Sequence, residues 1–306
     1  MAKRVRTVLG DIPPEELGLT LPHEHLFTFP PVEVSPDLDL RLDSYENALQ
    51  EVESFKAVGG GAIAEVSTPG YGRDVRSIKK ISQATGVHII CATGFIKESY
   101  FPREFFNLTE AELTGKFICD VEEGIEDTGI RAGVIKIGAS QNKFSEAEKK
   151  AARAACKAHL ETGAPITTHT TGGTMVLNII ELLESEGVNL NNVVIGHLDN
   201  NTLYLGYILM IAQTGVYVQL DNIGKVKYYP DELRVEIVKQ LIEEGYGARI
   251  LLSGDQGRRS YLKSYGGGPG FEHLQKGFIP LMRKKGIAED SIRQITVENP
   301  SNIFAF

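Results

Sequence analysis

Two histidines stand on either side of one glutamate in "LTLPHEHLF", residues 19 to 27. Side chains on an extended chain repeat every two residues, so His23 and His25 project to one side and can share a target. Further residues with donor chemistry are scattered along the chain: Lys136 in "GVIKIGA", His169 in "THTTGG", His197 in "IGHLDN" and Asp255 in "LSGDQG". Imidazole and carboxylate are ligands for zinc, iron, cobalt or manganese. Taken singly, each has an ordinary reading. A lone H-x-H is as often structural as ligating, His169 and His197 read equally well as hydrogen-bonded strand-end histidines, and Asp255 reads as a turn residue. His88, His159 and His273 are read as structural or solvated.

Lys136 is harder to accommodate. An ammonium buried in an apolar strand is costly unless it is paired or neutral. One reading is a lysine whose head snorkels past the strand end. The other is a desolvated amine with a lowered pKa, free to react with carbon dioxide. The resulting carbamate has two oxygens, each able to hold a metal ion.

These residues need a scaffold that gathers distant segments. Short β-rich runs alternate with amphipathic ones, and strands are predicted at 18–23, 61–67, 87–93, 132–138, 164–169, 192–197, 216–221 and 248–254. Between them run helical patterns such as "SYENALQEVESFKAVGG" and "SEAEKKAARAACKAHLETG", the second opened by a capping box of Ser145 and Glu148. Glycines in "AVGGG", "ETGAP", "AQTGV" and "EEGYGA" follow these helices as stop signals. Alternating strands and helices imply right-handed βαβ units and a parallel sheet. Eight units in 306 residues fit a (β/α)8 TIM barrel, α/β in class, as one domain spanning 1–306. The donor residues then fall at or near strand carboxyl ends, and the longest irregular stretches, 27–43, 95–109, 222–231 and 255–270, follow strands. That is the catalytic face of such a barrel.

A formal charge of −8 excludes a general nucleic-acid or anionic-membrane binder, both of which need a basic face. Cys91, Cys119 and Cys156 are widely spaced, odd in number and form no CxxC pair, so a disulfide framework is not indicated and a reducing cytoplasm is expected. "MAKRVRTVLG" runs into "DIPPEELG" instead of an apolar core, so neither a standard export signal nor a membrane span is expected.

The segments together resemble the phosphotriesterase family of the amidohydrolase superfamily. The resemblance covers essentially the whole chain: "PHEHLF", "VIKIGAS", "TTHTTGG", "VIGHLDN", "LLSGD" and a closing "VENPSNIF". It implies a binuclear metal centre at the carboxyl ends of the strands. His23, His25 and Asp255 would hold the more buried ion and His169 and His197 the more exposed one, with N-carboxylated Lys136 and a hydroxide bridging them. Zinc is the first expectation, with manganese, cobalt and iron accepted by the same donors. Two cations lower the pKa of a shared water so that hydroxide exists at neutral pH, and Asp255 would pass the proton toward the leaving group. Homodimers are common in the family, although no diagnostic apolar patch marks one in this sequence.

Two loops in this acidic protein are basic, "DNIGKVKYYPDE" and "DQGRRSYLKSYGGGPGF". Lys225, Lys227, Arg258, Arg259 and Lys263 are expected near the mouth, either for a phosphate monoester or as solvated groups paired with acids such as Asp231 and Glu232. "GGGPG" lacks the lysine and helix start of a P-loop and is read as a flexible loop. The second loop resembles that of the branch acting on phosphorylated sugar lactones, which implies Lys227, Tyr228, Arg258 and Tyr261 as phosphate contacts, with Lys97 also within reach of substrate. Ile96 and Asn222 depart from the phosphotriesterase and quorum-lactonase patterns, which tend to carry an aromatic residue and an arginine there. The expected activity is a metal-dependent hydrolase opening a phosphorylated sugar 1,4-lactone. The alternatives are a lactonase or phosphotriesterase acting on apolar substrates such as acyl-homoserine lactones, and a non-catalytic barrel binding a phosphorylated metabolite.

Overall fold

A computed structural model describes residues 3–200 and 204–306. Eight parallel strands form where the sequence predicts them: β1 (Thr20–Glu24), β2 (Ala62–Glu65), β3 (His88–Gly94), β4 (Val134–Ala139), β5 (Ile166–Thr170), β6 (Val193–Ile195), β7 (Tyr217–Leu220) and β8 (Ile250–Leu252). Neighbours in the sheet are neighbours in sequence, from β1 through to β8. The circle closes between β8 and β1. There the Asp255 N–H donates to the His23 carbonyl at 3.2 Å, and the His23 N–H donates to Ser253 Oγ at 3.1 Å. Glu24, the residue between the two motif histidines, staples this seam. Its Oε1 accepts from the Gly254 N–H at 2.7 Å and its Oε2 from the Gln256 N–H at 2.8 Å.

Helices cover the outside of the barrel: α1 (Tyr45–Ala57), α2 (Val75–Thr85), α3 (Glu110–Glu122), α4 (Glu146–Thr162), α5 (Val176–Ser185), α6 (Leu205–Ala212) and α7 (Asp231–Glu243), with shorter helical segments from Leu274 to the carboxyl terminus. Their starts follow local chemistry. The Ser145 hydroxyl accepts from the Glu148 N–H and the Glu148 carboxylate from the Ser145 N–H, completing the predicted capping box of α4. Thr109 and Glu112 form a second box at α3. Gly163 ends α4 at φ 80°, a conformation that would strain a residue with a Cβ.

The pleat decides which strand residues face the barrel interior. Ala62 and Ala64, Ile90 and Ala92, Val134, Val194, Tyr217 and Leu251 form an inner cluster with Val5 and Leu17, while Ile63, Ile89, Cys91, Ile135, Ile137 and Val218 pack outward against the helices. Two residues beyond Val134, the same alternation sends Lys136 inward. An antiparallel hairpin, Val5–Thr7 with Gly10–Ile12, lies beside the inner cluster, and Arg4 and Phe306 exchange backbone hydrogen bonds of 3.1 Å. No helix among the described residues is long and apolar enough to cross a membrane. Cys91, Cys119 and Cys156 are free.

Four of the strands, β2, β6, β7 and β8, end earlier than predicted, while β1, β3, β4 and β5 run one residue further. β6 stops at Ile195 and β8 at Leu252, so His197 and Asp255 lie on the chain just past the ladder, both at positive φ (61° and 45°). Left-handed backbone costs a non-glycine residue about 1–2 kcal/mol and persists where surrounding contacts hold it. For His197 those contacts come from Asp221, and for Asp255 from His23 and Lys225.

Candidate metal centre and substrate pocket

The six residues predicted as metal donors converge at the carboxyl-terminal mouth of the barrel. Lys136 is 1% exposed, its Nζ 3.1 Å from His23 Nε2 and donating to the Thr168 carbonyl at 3.1 Å. His197 Nε2 lies 2.8 Å from His169 Nδ1, and His25 Nε2 lies 3.2 Å from Asp255 Oδ1. Donor atoms of His23, His197 and Asp255 fall within 4.8 Å of one another. The snorkelling alternative for Lys136 is not what is seen, because the head group is in the barrel among these donors.

Electrostatics keep the His23 and His169 imidazoles neutral, the form that binds metal. Burial, helped by Lys136, pushes His23 down to about 3, and burial with His197 beside it holds His169 well below the usual range. Burial lowers the Lys136 ammonium to about 8, partly opposed by Asp221, Asp255 and Glu65. The Asp255 carboxyl behaves oppositely. Burial alone would raise it, but Lys225 and the surrounding histidines hold it well below the carboxylate range.

Supporting groups that the sequence reading did not single out fix the rings. Asp221, just past β7 and fully buried, accepts from His197 Nδ1 at 2.8 Å on Oδ1 and from the His197 N–H at 3.1 Å, and its Oδ2 lies 3.1 Å from His23 Nδ1 as a close ion-pair contact. One carboxylate therefore turns the Nε2 atoms of two histidines toward the shared space. Ser67 Oγ lies 2.8 Å from His25 Nδ1 and orients that ring. Behind Asp221 stands Asp199, which accepts from the Asp221 N–H at 3.0 Å and from Asn222 Nδ2 at 3.0 Å, and pairs with Arg234 Nε at 2.6 Å. Arg234 comes from α7 and is wholly buried. Asn222, where quorum lactonases tend to carry arginine, is thus a link in this network. A signal did exist: Asp221 is a polar residue closing an apolar strand, as His169 closes "APITTH".

A cavity of about 330 Å³ opens onto the donor cluster. His25, His169, His197 and Asp255 line its floor, and Lys97, Tyr228, Arg258 and Tyr261 its walls. Tyr228, Arg258 and Tyr261 are therefore brought beside the donors. Lys227 is exposed and outside the lining, its Nζ 4.9 Å from the Tyr228 ring centre and 5.0 Å from that of Tyr261. Of the remaining basic residues, Lys225 also lines the cavity, while Arg259 and Lys263 take the alternative of pairing with acids. Arg259 pairs with Asp43 at 2.7 Å and Lys263 with Glu272, whereas Lys225 is buried with its Nζ 2.7 Å from Asp255 Oδ2. Arg258 pairs with Asp37 at 2.5 Å and approaches Asp39 at 3.4 Å, so its partners come from the loop after β1 and not from Asp231 or Glu232. His88 opens β3, His159 is buried in α4 with its Nδ1 2.8 Å from the Ala164 carbonyl, and His273 Nε2 lies 2.8 Å from Asp231; none lines the cavity.

A (β/α)8 barrel with this donor set at its mouth is the architecture of a barrel enzyme. Residues 3–304 match the model of the phosphotriesterase family, and the chain belongs to that family. It is a hydrolase, and dependence on two metal ions is typical of its family. The chain is 33% identical over 325 residues to a phospho-furanose lactonase of Mycoplasmopsis synoviae, covering 99% of this chain and 92% of the relative. A crystallised lactonase from Listeria monocytogenes superposes with TM-score 0.93 at 36% identity, covering 98% of each chain. The phosphotriesterase homology protein of Escherichia coli, crystallised with phosphate in its active site, superposes with TM-score 0.90 at 36% identity, covering 94% of this chain and 99% of that one.

Proposed function

We propose that the protein hydrolyses a five-membered sugar lactone bearing a terminal phosphate, using a binuclear metal centre. The observation that carries this reading is that one cavity joins His25, His169, His197 and Asp255 to Tyr228, Arg258 and Tyr261. The likeness to a phospho-furanose lactonase, and to an Escherichia coli relative whose active site binds phosphate, supports it.

The donors suit two divalent cations. The imidazoles, with His23 and His169 held neutral, an ionised Asp255 and a desolvated amine supply nitrogen and carboxylate ligands, and the amine becomes anionic on carboxylation. In this assignment His23, His25 and Asp255 would hold one ion and His169 and His197 the other, with carboxylated Lys136 as a ligand to both. When bound, the cations lower the pKa of water and polarise the lactone carbonyl. The protein's side chains do the rest. Asp255, kept ionised by Lys225, accepts the proton from the attacking water and returns it to the ring oxygen as the ester bond breaks. Asp221 keeps His23 and His197 in the tautomer whose Nε2 carries a lone pair. Arg258 has five N–H donors, so it can hold Asp37 and still offer hydrogen bonds to a phosphate, flanked by the Tyr228 and Tyr261 hydroxyls with Lys227 above both rings.

The test is turnover of paired lactones with and without the phosphate, on protein reconstituted with zinc or manganese and bicarbonate. Strong preference for the phosphorylated member is expected. Equal rates on both, or faster hydrolysis of acyl-homoserine lactones or paraoxon-like esters, would refute the assignment of the basic wall.

A further inference from the structure

Three lysine or arginine side chains line the cavity, and two are already neutralised: Lys225 by Asp255 and Arg258 by Asp37 and Asp39. The third, Lys97, has no ion-pair or hydrogen-bond partner among the described residues. Its Nζ lies 5.0 Å from the centre of the Tyr100 ring. The side chain is partly buried, and burial lowers its pKa, opposed only by the more distant Glu148. A desolvated cation without a counter-ion is unfavourable in the resting protein, and it marks a place where negative charge arrives.

The position of Lys97 is fixed by the strand that carries Lys136. The Phe95 N–H donates to the Lys136 carbonyl at 2.8 Å. The next carbonyl, that of Ile96, packs so tightly on Gly138 that a Cβ there would come within 1.9 Å of it and 3.0 Å of the His169 Cβ. Lys97 follows directly and enters the cavity beside His169. In the ring of eight strands β3 stands opposite β7, with three strands between them on either side. Lys97 therefore faces the loops that carry Tyr228 and Arg258 from across the donor cluster.

A substrate with its phosphate at Arg258 would set its lactone carbon over the donors and its carbonyl oxygen toward Lys97. Resting on the reading above, we propose that Lys97 is a catalytic residue whose ammonium hydrogen-bonds the carbonyl oxygen as charge develops there, and then holds the carboxylate of the product. In the reaction, water oxygen bonds to the carbonyl carbon and the π pair moves to the carbonyl oxygen. That pair returns as the bond from carbon to ring oxygen breaks. One water proton reaches the ring oxygen and the other leaves to solvent. Lys97 keeps its own protons throughout, so its contribution is electrostatic and greatest in the transition state.

The experiment compares Lys97→Met and Lys97→Arg with the wild-type holoenzyme, using thermal melts to confirm folding. For Lys97→Met the expected result is a kcat roughly 100-fold lower with KM little changed, and partial recovery of kcat in Lys97→Arg. Calorimetric binding of the aldonate product should weaken about 10-fold, while binding of inorganic phosphate stays at the wild-type level. A raised KM and weaker phosphate binding with unchanged kcat would overturn the proposal by making Lys97 a phosphate ligand. Unchanged kcat and unchanged aldonate binding would overturn it by making Lys97 a bystander. If wild type does not prefer phosphorylated lactones, the substrate reading fails by itself, and the kcat ratio on whichever lactone is turned over still decides the role of Lys97.

Discussion

Replacing Asp221 by asparagine tests how far the metal centre depends on a residue that faces away from the cavity. The carboxylate accepts from His197 Nδ1 and Asn222 Nδ2 on Oδ1, from Gln219 Nε2 on Oδ2 and from the His197 N–H on both, and its Oδ2 lies 3.1 Å from His23 Nδ1. An amide of the same shape has one acceptor oxygen. That oxygen stays on the Oδ1 side, where more donors converge, and the NH2 group turns toward His23. His23 then has to accept at Nδ1, its proton moves to Nε2, and the atom facing Lys136 loses its lone pair. Loss of a hydrogen bond to a charged partner is worth about 1.5–3 kcal/mol. Removing such an orienting group typically weakens metal binding about 10–100-fold. Zinc titration of chelator-treated Asp221→Asn against a competing chromophoric chelator should therefore show one weakened ion, and kcat should fall with it, while a thermal melt confirms folding. Wild-type affinity for two ions together with unchanged kcat would refute this account of how the rings are held.

Other consequences are as direct. Lys136→Ala should lose tightly bound metal and activity together, and short carboxylic acids should restore part of both; metal analysis and rescue kinetics check this. Burial places the Lys136 amine near 8, below its ordinary 10.5, so the reactive free amine is scarce below that pH. At fixed dissolved carbon dioxide and zinc, reactivation of metal-free protein should accelerate about tenfold per pH unit up to about 8 and then level. An amine titrating at the ordinary value would keep accelerating toward pH 10. Arg258→Met should raise KM for phosphorylated lactones about 10–100-fold, from the loss of charge-assisted hydrogen bonds, and leave unphosphorylated ones unaffected. Phe55, fully buried in α1, should cost about 3–5 kcal/mol in urea unfolding when replaced by alanine.

The barrel was legible because short, nearly continuous apolar runs and capped amphipathic helices alternate along the chain, and a parallel sheet covered by helices is the arrangement that buries both. Lys136 and the four histidines stood out for a related reason: polar donors that close or interrupt an apolar strand are costly unless they meet. Asp221 obeys the same rule at the end of "VYVQLD", although a strand-end aspartate is also an ordinary turn residue and carries no signal by itself. The clamp by Glu24 could not be read, since it depends on β8 returning beside β1 after more than two hundred intervening residues. The partners of Arg258 were hidden for the same reason. Asp37 and Asp39 lie in a different loop, and the nearby acids in sequence, Asp231 and Glu232, are not the ones the fold brings to it. His197 and Asp255 were placed at strand ends, but their left-handed backbone follows from contacts with Asp221 and His23 that no local pattern encodes.

Anomalous diffraction from crystals of zinc-loaded protein grown with bicarbonate tests the centre itself. Two strong peaks should appear, one near His23, His25 and Asp255 and the other near His169 and His197, with density for a carboxylate on the Lys136 amine between them. A bare Lys136 amine with a single peak or none would contradict the two-ion account, and the lactone chemistry built upon it would go as well.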